Sequence, residues 1–451
     1  MYTPTRRTFI RQAACAALAS TGLVNTIFDL RKLSAATPQA GDYKALVCLF
    51  LYGGNDANNM LVPHDASSYA AYAAARGDLA IPQASLLPLT LQGGDGRDFG
   101  FHPSMPEAQA LFNQGHIAVV ANVGTLVAPT TRADYFSGNA AVPPQLFSHA
   151  DQSVQWQTSV PDQALRTGWG GRTADLLNSL NAGSPISLAI SIAGTNTFEV
   201  GNLVIPYQLS SSGPIGFNGF SGTTNANIRL QAFKDLLAQP HHNLFEQAYA
   251  DTVARAIADN DLVTTALSGV ALQTIFPQTD LGNQLSMVAR MIGGRSNLSM
   301  RRQIFFCSVD GYDTHGDQLS GQANLLTELS QALNAFYSAT AELGVAQQVT
   351  TFTASDFGRT FPTNGSGSDH GWGNHQLVMG GGVVGARIYG TFPTLAVDGP
   401  DDTGEGRWIP TTAVDEYSAT MASWFGLADS DLPTVFPNIG RFAQPNLGFL
   451  A

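Results

Sequence analysis

Cysteine is nearly absent, with 3 in 451 residues. Cys15 falls close to the amino terminus, and Cys48 and Cys307 lie inside apolar runs of strand character. A thiol in such a run packs as a small buried apolar group. Three thiols so placed make no disulfide framework and have no thiolate metal spacing. Charge is also sparse, at 12% of residues, with 22 Lys and Arg against 34 Asp and Glu for a net −12 at pH 7. Residues 1–36 hold five cations (Arg6, Arg7, Arg11, Arg31, Lys32) and one anion (Asp29), a net +4 that leaves −16 for the remainder. So negative a body argues against binding nucleic acid or an anionic membrane through its overall field. An anionic substrate stays open to it, because a bound divalent cation reverses the sign locally. There is no internal repeat. The 44% hydrophobic content is that of a globular chain able to bury a sizeable core.

The amino terminus reads Thr5-Arg6-Arg7-Thr8-Phe9-Ile10-Arg11, then an apolar stretch from Ala13 to Val24, then Ser34-Ala35-Ala36. Paired arginines before a modest apolar core resemble a twin-arginine export signal, with small residues for cleavage nearby. The plain alternative is an amphipathic first helix. The stretch is too short and too rich in alanine for a stable membrane span, so the mature form is expected without a transmembrane anchor. Export by that route moves folded proteins and places this one in the periplasm or outside the cell, with the twin-arginine translocon as a transient partner. Residues 37–451 then form a single domain.

Tyr43 to Tyr52 is a continuous apolar run, the pattern of a central parallel strand buried on both faces. It ends in Gly53-Gly54-Asn55-Asp56-Ala57-Asn58-Asn59. Pro103 to Gln114 has helical spacing, and His116 to Asn122 follows as a second strand. Pro185 to Ile192, Arg302 to Val309 and Val349 to Thr353 read as further strands, and Leu319 to Leu343 as a long amphipathic helix. Arg387 to Pro393 suggests an edge hairpin, and Ala413 to Phe425 a last helix. Residues 193–300, first rich in Gly, Ser, Asn and Thr and then helical, look like a cap or insertion. These elements predict an α/β fold: a doubly wound, mostly parallel sheet flanked by helices, with a helical insertion.

Acids and imidazoles collect after the strands. Asp56 follows the first; its alternative role is to cap a helix. Ser148, His149 and Asp151 stand together in the pattern of a helix start that presents a nucleophile. Asp313 and His315 follow Arg302 to Val309. Asp356, Asp369, His370 and His375 lie in the Gly-rich loop after Val349 to Thr353. Carboxylates and imidazoles without thiolates suit Zn or Mn, with Mg and Ca as the oxygen-preferring alternatives. One or two such ions would polarise a phosphoryl or sulfuryl oxygen and activate a serine or water. Arg359 and Arg172 have the forked geometry to clamp anionic oxygens, and Asn58 is placed to bind substrate beside them.

LFLYGGNDANNMLVP, HPSMPEAQALFNQGHIAVVANVG, SHADQSVQWQT, DGYDTHGDQ and SDFGRTFPTNGSGSDHGWGNHQLVMGGGVVG together resemble the DUF1501 family of exported proteins, within the alkaline phosphatase and sulfatase superfamily. The resemblance covers nearly all of the mature chain. It implies the doubly wound fold with a metal centre at one sheet rim. Asp56 resembles the superfamily's first metal aspartate, and Asp313 with His315 its acid-and-histidine pair. Asp356 resembles the acid of a later Asp-His pair, and His375 or His370 the closing histidine. Ser148 falls near the place of the nucleophile. Phe357 stands where the superfamily has the histidine of that later pair, so one ion lacks a ligand there unless His370 or His149 replaces it. No cysteine has the Cys-x-Pro-x-Arg context of a formylglycine sulfatase. The function so implied is hydrolysis of phosphate or sulfate esters, of a small molecule or a glycan. The alternative is a non-catalytic envelope binding or assembly protein that keeps the fold.

Overall fold

The computed structural model describes residues 43–94, 96–217, 219–220 and 223–451. The expected leader, with the twin-arginine signal read from the sequence, lies outside the described residues. In chain order the strands are β1 Lys44–Leu51, β2 Leu61–Pro63, β3 Leu87–Pro88, β4 Phe99–Phe101, β5 Ile117–Gly124, β6 Ala189–Ser191, β7 Tyr207–Ser210, β8 Gly213–Pro214, β9 Arg302–Val309, β10 Val349–Ser355, β11 Asn374–Gly380, β12 Ile388–Tyr389 and β13 Thr412–Ala413. The main sheet has the order β12-β5-β11-β10-β1-β9-β6-β7-β8, with β13 also on β5, and β2-β4-β3 form a small separate sheet.

The apolar runs explain the centre of this order. From Ala45 to Leu51 every residue of β1 is buried, because helices cover both faces. Each fully buried Leu, Val or Phe there contributes roughly 1.5–3 kcal/mol by leaving water. β1 runs parallel to β9 on one side and to β10 on the other, and Leu51 stands opposite both Val309 and Ser355. The carboxyl ends of three strands therefore finish level, and the loops beyond them share one rim. β11 runs against both neighbours, β10 and β5, so the loop before it returns to the same rim.

The helix Asp280–Gly293 shows why the flanking layer forms. Leu281, Leu285, Val288 and Ile292 recur at helical spacing and are buried, and the Thr279 side chain caps the first turn by accepting from the Gly282 amide. It packs against the helix Gln318–Glu342 and β9. The helices Trp169–Leu177 and Val414–Phe425 pack together and against β1, β5, β6 and β9. Within the expected insertion, Thr224–Leu237 and Leu244–Ser268 pair around a small core of their own at Leu237, Ala250 and Ile257. Asp280–Gly293 belongs instead with the sheet.

Three expectations are corrected. His375 is the second residue of β11 and not part of the preceding loop. The strand expected over Pro185 to Ile192 shortens to Ala189–Ser191. Arg387 to Pro393 forms no hairpin: Ile388–Tyr389 pairs parallel with β5, and Gly390, at φ +75°, turns the chain away. Among the described residues no helix is long and apolar enough to cross a membrane.

Candidate metal centre

Two glycines let the rim loops approach. Gly53, directly beyond β1, has φ +115°, and a Cβ there would fall 2.2 Å from the Asp313 amide nitrogen. Its own amide donates to Asp356 Oδ2 at 3.1 Å, and its carbonyl accepts from Arg359 Nη1 at 2.8 Å. Gly367 lies against the Thr314 and His315 backbone, with a Cβ position 2.3 Å from the Thr314 carbonyl. That contact brings the loop after β10 onto the loop after β9. Across the loop, Arg359 and His370 pair as an antiparallel bridge.

Three imidazoles and a carboxylate meet at the result. His315 Nε2 lies 2.9 Å from His370 Nε2 and 3.1 Å from Asp313 Oδ1. His149 Nε2 lies 3.1 Å from His370 Nε2 and 3.5 Å from Asp313 Oδ2, and His370 Nε2 is 3.3 Å from Asp313 Oδ1. Every opposite ring nitrogen is held by an acceptor. His149 Nδ1 meets Asp356 Oδ2 at 2.6 Å, His315 Nδ1 meets Asp369 Oδ1 at 3.0 Å, and His370 Nδ1 meets the Phe147 carbonyl at 2.8 Å. An acceptor at Nδ1 keeps the proton there and leaves a lone pair on Nε2. Lone pairs cannot face one another at about 3 Å unless a cation or shared protons lie between them. This is the arrangement in which a metal-binding histidine is oriented from behind by a carboxylate or carbonyl. The ligand atoms of His149, His370 and Asp313 all lie within 4.8 Å of one another, with His315 Nε2 beside two of the three. Imidazole nitrogens with a carboxylate oxygen fit Zn first and Mn next, and suit Mg or Ca poorly.

Charge and packing reinforce the geometry. Arg359, with a fully buried side chain, donates to Asp313 Oδ1 at 3.0 Å. Burial works to raise Asp313, but the hydrogen bond and charge of Arg359, with His315 and His149, hold it below the usual carboxylate range. The hydrogen bond to Asp356 raises His149, whereas burial lowers His370. Asp369 is held low first by its hydrogen bond from Asn364. Phe357, fully buried, packs its ring 4.7 Å from that of His149 and 4.6 Å from that of His370, so it buttresses two imidazoles. A cleft of about 430 Å³ opens beside the cluster, lined by Tyr52, His149, Ser153, Asp310, Asp313 and Asp356 among others.

The sequence candidates divide by place. Asp313, His315, His370, His149 and Asp356 come together, with Arg359 behind Asp313. Asp56 does not reach the cluster: its carboxylate takes hydrogen bonds from Arg76, Gln318 and the Asn58 amide, and it caps the short helix Ala57–Met60. A chain of bonds links it forward, since Gln318 Oε1 accepts from Ser368 Oγ and the Ser368 carbonyl accepts from Arg359 Nε. His375 is buried in β11, accepts from the Asn122 amide at Nδ1 and stacks on Phe392 at 4.7 Å; burial pushes it down to about 3. Arg172 is enclosed, with donors engaged by the carbonyls of Thr158, Thr167 and Val435. Asn58 donates to the Arg359 carbonyl at 3.3 Å and accepts from Trp408 Nε1 at 2.9 Å. Ser148 is the N-cap residue of the helix His149–Thr158, its hydroxyl donating to Asp151 Oδ2 at 2.6 Å. Sequence reasoning missed Gln318, Ser368 and the Phe147 carbonyl. A backbone carbonyl has no sequence signal, and the two side chains look like ordinary polar loop residues.

No curated protein matches the chain. Among solved structures it is similar to a sulfatase from Pseudoalteromonas sp., at 10% identity over 87% of this chain and 70% of that one, with a TM-score of 0.36. It is similar to a protein in the alkaline phosphatase superfamily from Vibrio parahaemolyticus, at 12% identity over 89% and 75% of the two chains, with a TM-score of 0.33. It is also similar to the soluble domain of lipooligosaccharide phosphoethanolamine transferase A from Neisseria meningitidis, at 9% identity over 86% and 90%, with a TM-score of 0.35. At scores this low the likeness is one of outline and carries nothing about substrate or mechanism. The sequence matches the family described as Protein of unknown function (DUF1501) over residues 43–415, a span that contains every strand of the sheet, and the chain belongs to that family.

Proposed function

We propose that the protein is an exported, metal-dependent hydrolase of phosphate or sulfate esters built on a single-ion centre. The observation that supports this most is the closeness of the His149 and His370 ring nitrogens and the Asp313 carboxylate, all within 4.8 Å of one another, with an acceptor behind each ring. His149, His370 and Asp313 would hold the ion, with His315, which adjoins His370 and Asp313, as the fourth ligand. Such an ion supplies positive charge that polarises an ester oxygen and eases deprotonation of a nucleophile. Asp56, the candidate for a second ion, is already neutralised by the Arg76 guanidinium. Arg359 is a positioning residue that aims Asp313, because its enclosed side chain has no open face for substrate.

Ser148 is the nucleophile in this reading. It stands between Phe147, whose carbonyl holds His370, and His149, so both chain neighbours touch the cluster. Its hydroxyl already donates to Asp151, and an adjacent base of this kind is what a serine nucleophile requires. The helix N-terminus favours negative charge there. The test is turnover of a panel of phosphate and sulfate esters by metal-loaded protein. Activity that disappears on chelation and in Ser148→Ala supports the reading; turnover by metal-free protein contradicts it.

One observation favours a second reading, an envelope binding or assembly protein that retains the ion as a clamp. Both guanidiniums suited to gripping an anion, Arg172 and Arg359, are turned inward, and among the described residues no lysine or arginine lines the cleft. Metal-loaded protein inert across the whole panel would decide for it.

A further inference from the structure

Tyr52 is the last residue before Gly53 and lines the cleft beside His149, Asp313 and Asp356. Its hydroxyl oxygen accepts from Gln157 Nε2 at 3.1 Å. The direction of that bond is fixed from behind. Gln157 Oε1 accepts from two backbone amides, Thr197 at 2.8 Å and Phe198 at 3.0 Å. Amides can only donate, so the carbonyl end of the Gln157 side chain must face them and its NH₂ end must face the phenol. The loop that supplies these amides is itself braced, because Asn196 and Glu199 exchange hydrogen bonds across it. With its oxygen accepting from Gln157, the Tyr52 O–H has its proton left to donate, and it donates to no group among the described residues.

We infer that Tyr52 is a substrate-contacting hydrogen-bond donor, which Gln157 holds with its O–H turned into the cleft to meet a non-bridging oxygen of a tetrahedral oxyanion bound at the metal centre. The inference rests on the hydrolase reading and adds the recognition group that reading lacks. Among the described residues no lysine or arginine lines the cleft, so a neutral donor is what remains to complement the charge that the ion leaves unbalanced. Burial, with Asp356 and Asp310 nearby, pushes the phenol up to about 12, so the proton stays in place at neutral pH. A donor of this kind to a charged oxygen is worth about tenfold or more in affinity.

The test is calorimetric titration of inorganic phosphate, and in a second arm sulfate, into Zn-loaded protein, with metal content and melting temperature measured on every variant. Tyr52→Phe removes the donor, and with it the acceptor of Gln157 Nε2, while keeping the ring. Gln157→Glu keeps the phenol but places a carboxylate oxygen against it, so Tyr52 turns its proton away from the cleft. Both variants should keep the wild-type metal content and bind the oxyanion about tenfold or more weakly. Gln157→Glu added to Tyr52→Phe should have little further effect, because the two act through one proton. Equal oxyanion affinity in wild type and Tyr52→Phe overturns the inference while leaving the metal centre standing. Metal-loaded wild type that binds neither oxyanion overturns it as well. Wild type that takes up no metal overturns both this inference and the reading beneath it.

Discussion

The Asp56–Arg76 pair separates a structural acid from a metal ligand. Both side chains have no solvent exposure, and Arg76 also donates to the carbonyls of Thr360 and Phe361, at the start of the loop that carries His370. Asp56→Ala removes the carboxylate and strands a buried guanidinium with only carbonyl partners. Gln318 loses its acceptor in the same change. Removing one member of a buried ion pair costs about 3–5 kcal/mol, because the remaining charge is uncompensated. Asp56→Ala should therefore lower the free energy of unfolding by that amount in urea, and Arg76→Met should do the same. The double variant should lose less than the sum of the two, since no orphan charge remains. Metal content of the folded Asp56→Ala protein should match wild type. An Asp56→Ala protein within about 1 kcal/mol of wild type that has lost its metal would refute the assignment and return Asp56 to the ligand set.

Two further outcomes follow from the same structure. Asp369→Ala leaves His315 Nδ1 without its carboxylate, and loss of such an outer partner weakens metal binding about 10- to 100-fold, measurable by competition with a chelating dye. Glu199 gives a pH prediction. Burial pushes its carboxyl up to about 8, so the folded protein holds a proton that the unfolded chain releases near pH 4.5. The stabilisation from this neutral group is fully present below the unfolded value and is lost as pH rises toward 8. Across pH 5–8 the slope is about 1.4 kcal/mol per pH unit. Glu199→Gln should remove that slope from urea unfolding series at pH 5, 6 and 7, and an unchanged slope would show that the carboxyl is ionised in the fold.

The central strands were legible because they are buried on both faces. Lys44–Leu51, Arg302–Val309 and Val349–Ser355 are unbroken apolar or β-branched runs, and burial of both faces removes the polar alternation that would blur their ends. Asp313, His315 and His370 were legible for a related reason. Acid and imidazole beyond a buried strand have no packing role to explain them, and parallel strands that end level carry them to one rim. The choice among the remaining histidines was not legible. His375 and His149 both precede or follow Gly- or Ser-rich chain, and only pairing reveals that His375 lies on β11 with its Nδ1 taken by the Asn122 amide. His149 reaches the cluster because Ser148 starts a helix whose first residue points back at Asp356. Asp56 misled through its position after β1, since its partner Arg76 lies twenty residues on, in a helix that the residue pattern did not link to it. Phe357 was visible as a departure from the superfamily pattern; its tilted packing against His149 and His370 was not.

The most direct test of the metal centre is elemental analysis by plasma mass spectrometry of the folded protein beside His370→Ala and His375→Ala. His370 Nε2 lies within hydrogen-bond range of both other imidazoles, whereas His375 is enclosed in β11 away from them. One equivalent of Zn or Mn in the wild type, lost in His370→Ala and kept in folded His375→Ala, is the predicted result. No metal in the wild type, or metal lost only with His375, would contradict the account.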